Sequence, residues 1–92
     1  MDNIKLYANY LYVPNPTQHR QHPFLLAIGQ SIRTARLKKK ISQEQLALLA
    51  DVDRSYIGRV ERGDNNVAIL TLAKISSALD LRLSDLISQA GL

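Results

Sequence analysis

Residues 42–63 read SQEQLALLADVDRSYIGRVERG, and this run contains two helix starts eleven residues apart. Ser42, with Gln45 three positions later, forms a capping box in which each residue satisfies a free amide at the helix start. Asp53 is a preferred N-cap residue type, and Gly63 closes the helix that follows it. Because so few residues separate the two helices, we expect them to cross steeply rather than lie antiparallel.

Three further helices are predicted around this pair. One spans about 24–39, another about 68–79, and a short last helix is capped by Ser84. Apolar residues recur three and four positions apart in these segments, so each helix has one face to bury. The side chains predicted to form the core are Ile28, Ile32, Ala35, Leu46, Ala47, Ala50, Ile57, Val60, Leu72, Ile75 and Leu79. The predicted fold class is all-α, with five helices.

The first 23 residues differ in composition from the rest and are predicted to form an N-terminal extended arm ahead of a 24–92 domain. Residues 4–13 are rich in β-branched and tyrosine side chains, which favours a strand. A lone strand can pair with a partner's copy, lie across the helices or fray. His19 and His22 stand three apart, but no carboxylate or cysteine is near them in sequence, so no metal site is predicted.

The 92-residue chain carries a net charge of +4, and the basic excess lies in one stretch. Residues 25–62 hold eight basic and four acidic side chains, as expected of a surface that faces phosphates or of a solvated basic face. The absence of cysteine excludes disulfides and thiolate metal sites. No apolar run is long enough to cross a membrane and the start is a poor signal peptide, so a cytoplasmic protein is expected.

Three short motifs carry a family resemblance: Ser42–Ala47, Ser55–Ile57 and Glu61–Gly63. Within residues 25–90, they resemble the helix-turn-helix of the Cro and phage-repressor family, the XRE-type regulators. Residues 53–57 and 61–63 are also similar to the controller proteins of restriction–modification systems. The resemblance implies a repressor-like DNA-binding domain that regulates transcription as a homodimer on a pseudo-palindromic operator in double-stranded DNA. The sequence contains no phosphate loop, nucleophile elbow or paired carboxylates, so neither catalysis nor a cofactor is predicted.

In this resemblance the helix from 53 to 62 is the recognition helix, which enters the major groove with its N-terminal end first. Arg54 and Ser55 are then placed to reach base edges, with Arg59 one turn further along the same face. Arginine can bond guanine O6 and N7 bidentately, so guanines are predicted in each half-site. The alternative is that both arginines are solvated charges on the helix surface.

Phosphate or mixed contacts are predicted for Gln43, Tyr56, Arg62, Arg36, Lys40 and Asn65. The family pattern places Gln43 on a phosphate, whereas Tyr56 either touches DNA or packs on the preceding helix. Gly58, inside the recognition helix, costs roughly 1 kcal/mol relative to alanine. Either a close approach to DNA or close packing on a neighbouring helix would offset this cost.

The resemblance also implies contacts within and between subunits. Arg36 and Glu61 match a paired Arg and Glu of the phage repressors, which would join the first helix to the third. The cluster predicted at the dimer interface is Leu81, Leu83, Leu86 and Ile87. Asp51 stands where the turn usually has glycine, which predicts a cost in stability if the backbone there is left-handed. The alternative function is an antitoxin-like module that binds a protein partner through residues 1–23.

Overall fold

The computed structural model describes residues 20–92, which form five α-helices and no strand. The helices are α1 (Pro23–Lys38), α2 (Gln43–Ala50), α3 (Arg54–Glu61), α4 (Ile69–Ala78) and α5 (Leu83–Gln89). This architecture confirms the predicted all-α, five-helix class. The strand predicted at 4–13 and most of the predicted arm lie outside the described residues, and the 24–92 domain boundary stays a prediction.

The core is built from all five helices, each of which contributes one of the largest fully buried side chains. These are Ile32, Leu46, Ile57, Ile75 and Leu86. Burying one such side chain contributes about 1.5–3 kcal/mol. The predicted core is confirmed, with Ala35 only partly buried. The assignment of Leu86 to the dimer interface is wrong, because its own chain already buries it completely.

The turn between α2 and α3 holds these two helices close together. α2 begins with the predicted capping box: Gln45 N–H donates to Ser42 Oγ (3.0 Å) and Ser42 N–H donates to Gln45 Oε1 (2.7 Å). α2 ends at Asp51, whose backbone is left-handed (φ 57°, ψ 49°), and Val52 N–H donates to Ala47 O. This bond, typical of a Schellman ending, turns the chain directly into α3.

Two predicted helix caps differ in the structure. Asp53 precedes α3 as expected, but its side chain makes no capping hydrogen bond. Ser84 lies inside α5, which begins one residue earlier, and Arg82 is the N-cap. Arg82 N–H donates to the Asp85 carboxylate (3.2 Å), so the free amide at the helix start is satisfied without a serine cap.

α1 crosses α3 at Gly29. A Cβ atom at this position would lie 2.5 Å from Val60 O and 2.6 Å from Glu61 O, so no larger residue fits unless the α3 backbone moves. Gly63 (φ 77°) ends α3, and its carbonyl accepts a hydrogen bond from Gln21 N–H (2.6 Å). α1 and the segment before it therefore hold the C-terminal end of α3. Gly29 is a position that the core prediction does not include, although a glycine inside a helix is itself a signal of close packing.

Candidate nucleic-acid interface

One face of α3 is exposed and carries the three side chains predicted to contact bases. Arg54, Ser55 and Arg59 are all exposed, whereas Ile57 and Val60 on the other face are buried in the core. A helix with an apolar inner face and a basic, polar outer face presents its donors to an external partner. Among residues 20–92, only neighbours of Arg59 touch this trio, and they leave all three side chains exposed.

Arg59 is held by its neighbours. Its guanidinium carbon lies 5.8 Å from the centre of the Tyr56 ring, a cation–π distance. When the Asn65 amide is oriented so that both of its polar atoms are satisfied, its oxygen accepts from Arg59 Nε (3.3 Å). Because Nε carries only one of the five N–H donors of an arginine, the two Nη groups stay available for a base edge.

Tyr56 is half-buried and packs against the core. Burial raises the pKa of its phenol, while a hydrogen bond with Thr71 and the positive charge of Arg59 act in the opposite direction. The hydroxyl group is therefore protonated at neutral pH and can donate to a phosphate oxygen. The Tyr56 ring therefore packs against the core, and a DNA contact through its hydroxyl stays a prediction.

A buried network joins α1, the start of α2 and the end of α3. Arg36 donates to Glu61 through Nε (2.7 Å to Oε2) and Nη2 (3.1 Å to Oε1), and through Nη1 to Ile41 O (3.0 Å). Gln43 Nε2 donates to the same Glu61 Oε1 (3.1 Å). The hydrogen bond to Glu61 raises the pKa of Arg36, and desolvation opposes this rise. The two side chains that the resemblance paired are in direct contact, and their network extends to Gln43.

Arg36 does not fit the phosphate contact that was predicted for it. Its side chain is only 9% exposed, and all three of its nitrogens donate to Glu61 or to Ile41 O. A guanidinium bonded in this way orients its neighbours and cannot reach out to DNA. Within this buried network, Gln43 is the side chain that remains available for a phosphate contact, and Glu61 holds it beside Gly58.

Gly58 lies beneath two of the side chains predicted to bind phosphate. A Cβ atom there would lie 3.2 Å from Arg62 Nη1 and 3.7 Å from Gln43 Oε1. Neither atom belongs to the backbone of a neighbouring helix, so the close helix packing considered for Gly58 is found at Gly29 instead. The glycine gives Gln43 and Arg62 room to approach each other across α3.

The other predicted phosphate contacts lie in or beside two connecting segments. Lys40 is exposed between α1 and α2, with a left-handed backbone (φ 59°). Arg62 is exposed at the end of α3 and donates through Nε to Asp64 Oδ2 (3.1 Å). Asn65 follows in the segment between α3 and α4 and is half-buried. The structure thus groups Gln43 with Arg62 and Arg59 with Asn65, while Lys40 lies in a separate turn.

Only part of the predicted dimer surface is available. Leu81, Leu83 and Ile87 are half-buried against the core of their own chain. Leu86 is completely buried in that core and has no surface left for a partner. Within the described residues, the most exposed large apolar side chains lie on α2 and α4. They are Leu48, Leu49, Ile69 and Leu70.

α3 is a short helix that follows α2 after a tight turn, and its outer face is basic. Residues 20–92 contain no group of three His, Cys, Asp or Glu side chains that could hold a metal ion. None of the helices described is long and apolar enough to cross a membrane. The fold and the exposed face define a helix-turn-helix domain.

Comparison with known proteins agrees with this class. A helix-turn-helix family model matches residues 32–86. The chain is 44% identical over 63 residues to Control protein C.BamHI of Bacillus amyloliquefaciens, covering 67% of this chain and 78% of that protein. It is 37% identical over 65 residues to Control protein C.SmaI of Serratia marcescens, covering 71% and 77% respectively. The crystal structure of the restriction-modification controller protein C.AhdI from Aeromonas hydrophila has a TM-score of 0.69 and 43% identity, over 71% of this chain and 98% of that chain.

The chain belongs to the XRE-type helix-turn-helix family of DNA-binding transcriptional regulators. Its similarity to restriction–modification control proteins also confirms the narrower resemblance to that class of regulators. These relatives are regulators and not enzymes.

Proposed function

We propose that the chain is a homodimeric regulator that reads a pseudo-palindromic operator with α3 in the major groove. The observation that carries this proposal is the exposed trio Arg54, Ser55 and Arg59 on the outer face of α3. A recognition helix enters the groove with its N-terminal end first, so Arg54 and Ser55 reach base edges and Arg59 follows one turn later. Arginine favours guanine, and we therefore expect guanines in each half-site.

Contacts with phosphates fix the register of the protein on the duplex. Gln43 at the start of α2 and Arg62 after α3 both lie over Gly58, and we expect them to face one stretch of the DNA backbone together. The free N–H groups at the start of α2 favour the same anion. Lys40, Tyr56 and Asn65 extend these contacts at the edges of the interface.

A homodimer matches the two-fold symmetry of a pseudo-palindromic operator. Two copies would place their α3 helices about 34 Å apart, one helical turn of DNA. We assign the interface to the α5 side, where Leu81, Leu83 and Ile87 keep part of their surface exposed. From the likeness to Control protein C.BamHI and its relatives, we also propose that the regulated gene belongs to a restriction–modification system.

Selection of bound sequences from random duplex DNA tests this proposal. We expect a palindromic motif, and Arg54→Ala and Arg59→Ala should relax the preference at defined positions by about 1–3 kcal/mol. Gln43→Ala should instead weaken binding to all sequences alike. Lys74→Ala is the matched control, because it removes one positive charge from an exposed position on α4 beside the C-terminal end of α2.

Binding that depends on salt but selects no sequence would contradict the proposal, since it would leave only contacts with the phosphate backbone. A uniform loss across all sequences in Arg54→Ala would show that this arginine reads no base. The alternative function, a protein-interaction module acting through residues 1–23, predicts that a protein partner co-purifies with the full chain and is lost when residues 1–23 are deleted.

A further inference from the structure

Asp64 lies between two arginines just beyond the C-terminal end of α3. Its Oδ2 accepts from Arg62 Nε (3.1 Å), and its Oδ1 lies 3.8 Å from Arg20 Nη2. Arg20 precedes α1, so the three charged side chains come together from two segments that are distant in the sequence. Arg20 has no role in the contacts described so far, and Asp64 appears in them only as the acceptor of the Arg62 hydrogen bond.

The carboxylate is unusually well buried for a residue of a connecting segment. The Asp64 side chain is only 14% exposed, and among the described residues its Oδ1 has no hydrogen-bond donor. Its backbone is also fixed, because Asp64 N–H donates to Arg59 O (2.9 Å). Burying a carboxylate is costly unless it is paired, and the two arginines are the positive charges that offset this cost for Asp64.

The two arginines, by contrast, face solvent. The side chains of Arg20 and Arg62 are 63% and 61% exposed. Arg62 uses Nε for Asp64, neither of its Nη groups has a hydrogen bond within residues 20–92, and its Nη1 lies over Gly58. Gln21 N–H donates to Gly63 O (2.6 Å), and this bond holds the backbone next to Arg20 against the same segment. These three side chains form a site with two positive charges and one negative charge, beside Gln43, which is proposed to bind a phosphate.

We propose that Arg20 and Arg62, positioned by Asp64, form a two-arginine clamp for a phosphate of the DNA backbone. Asp64 is a positioning residue: it orders both guanidinium groups before DNA arrives, so less side-chain entropy is lost on binding. Arginine suits this role because its planar fork matches the geometry of a phosphate. The clamp rests on the proposed function and adds Arg20 to its DNA-contacting surface, with Asp64 as the residue that positions both arginines.

Asp64→Asn gives a test in which two physical effects have opposite signs. If Asp64 only repelled the phosphates, removing its charge would strengthen DNA binding. If Asp64 positions the two arginines, its loss weakens binding although a negative charge has been removed. We expect Asp64→Asn to weaken binding to operator and to random duplex alike, by roughly threefold, with the base preference unchanged.

The clamp also predicts a salt dependence for the arginines. Arg20→Gln and Arg62→Gln should each weaken binding roughly 3- to 10-fold and reduce the slope of log K against log salt by about 0.9. The further loss from Arg20→Gln should be smaller in an Asp64→Asn background, because both substitutions disturb the same clamp. Lys74→Gln, which removes an equivalent charge from α4, should change neither quantity.

Three results would overturn the clamp: tighter binding by Asp64→Asn, wild-type affinity and slope in Arg20→Gln, or additive losses in the double variant. Arg20 is exposed and lies outside the helices, so Arg20→Gln folds and stays informative even if Asp64→Asn lowers the melting temperature. These measurements can fail while Arg54→Ala still relaxes sequence preference, in which case the clamp is wrong and the proposed function stands. If no sequence is selected at all, the proposed function fails, and the salt slopes on random duplex still test the clamp.

Discussion

At the scale of single residues, Asp51 sets the path of the chain between α2 and α3. Its left-handed backbone lets Val52 N–H reach Ala47 O and directs the chain into α3 without a longer loop. An L-residue other than glycine is strained in this conformation, although aspartate tolerates it better than most residues. Within residues 20–92, the exposed Asp51 side chain makes no hydrogen bond or ion pair that would offset the cost.

Asp51→Gly should therefore stabilise the protein. We expect a gain of about 0.5–1 kcal/mol and a rise in melting temperature of about 2–6 °C, because glycine adopts this backbone without a steric penalty. Thermal unfolding followed by circular dichroism measures the change. Asp51→Ala is the control, since it removes the same charge but keeps a Cβ atom, and it should lower the melting temperature. An equal rise in both variants would attribute the effect to charge and contradict strain at Asp51.

At the scale of helices, α1 supports α3 through contacts of two kinds. Gly29 allows the backbones of the two helices to touch, and the Arg36–Glu61 pair adds a buried, bidentate connection. Because Glu61 also accepts from Gln43, the same carboxylate fixes the start of α2 relative to the end of α3. A buried pair of this kind orients more than it stabilises. The orientation of the proposed DNA-binding surface thus depends on α1, which contributes little to that surface itself.

The two glycines inside helices should respond to alanine in opposite ways. Gly29→Ala forces a Cβ atom against two carbonyl oxygens of α3, so we expect a loss of about 2–3 kcal/mol or more in the free energy of unfolding. Gly58→Ala meets only the ends of two flexible side chains and adds helix propensity, so its stability should be unchanged or up to about 1 kcal/mol higher. Urea unfolding of both variants measures this. A similar stability for the two would contradict the close contact at Gly29.

At the scale of the whole molecule, the proposed dimer depends on which apolar surface a second copy covers. The half-buried side chains of α5 already serve the core of their own chain. The most exposed apolar side chains of residues 20–92 lie instead on α2 and α4, where Leu70 is 78% exposed. Substitutions on the two surfaces therefore distinguish the places where two copies can meet.

Ile87→Glu should convert the proposed dimer to a monomer, because a charge at a buried apolar interface is costly to desolvate. Sedimentation velocity at several concentrations measures the change, with circular dichroism to show that the helices remain. Leu70→Glu is the matched substitution on α4 and should leave the dimer intact. Dissociation by Leu70→Glu alone would place the interface on α4 and contradict the assignment to α5.

Short sequence patterns were enough to predict most of the helices and their buried faces. Three of these patterns depend only on residues within one or two helical turns of one another. They are the capping box at Ser42 and Gln45, the buried stripe of Ile57 and Val60, and the helix ending at Gly63. Such patterns can be read from a sequence because spacing alone determines which side chains share a helix face. The outward face of α3, with Arg54, Ser55 and Arg59, follows from the same periodicity.

Whether each side chain is available to contact DNA or a second copy was decided only by the tertiary structure. Arg36 and Arg62 look alike in the sequence, yet the Arg36 guanidinium is buried and bonded to Glu61 and Ile41 O, whereas the Arg62 side chain is 61% exposed and bonds Asp64 through Nε. Leu86 belongs to the core for the same reason, and Arg20 reaches Asp64 only because the chain before α1 is held against Gly63. Helical periodicity fixes the direction of a side chain, but its burial and partners depend on contacts between residues far apart in the chain.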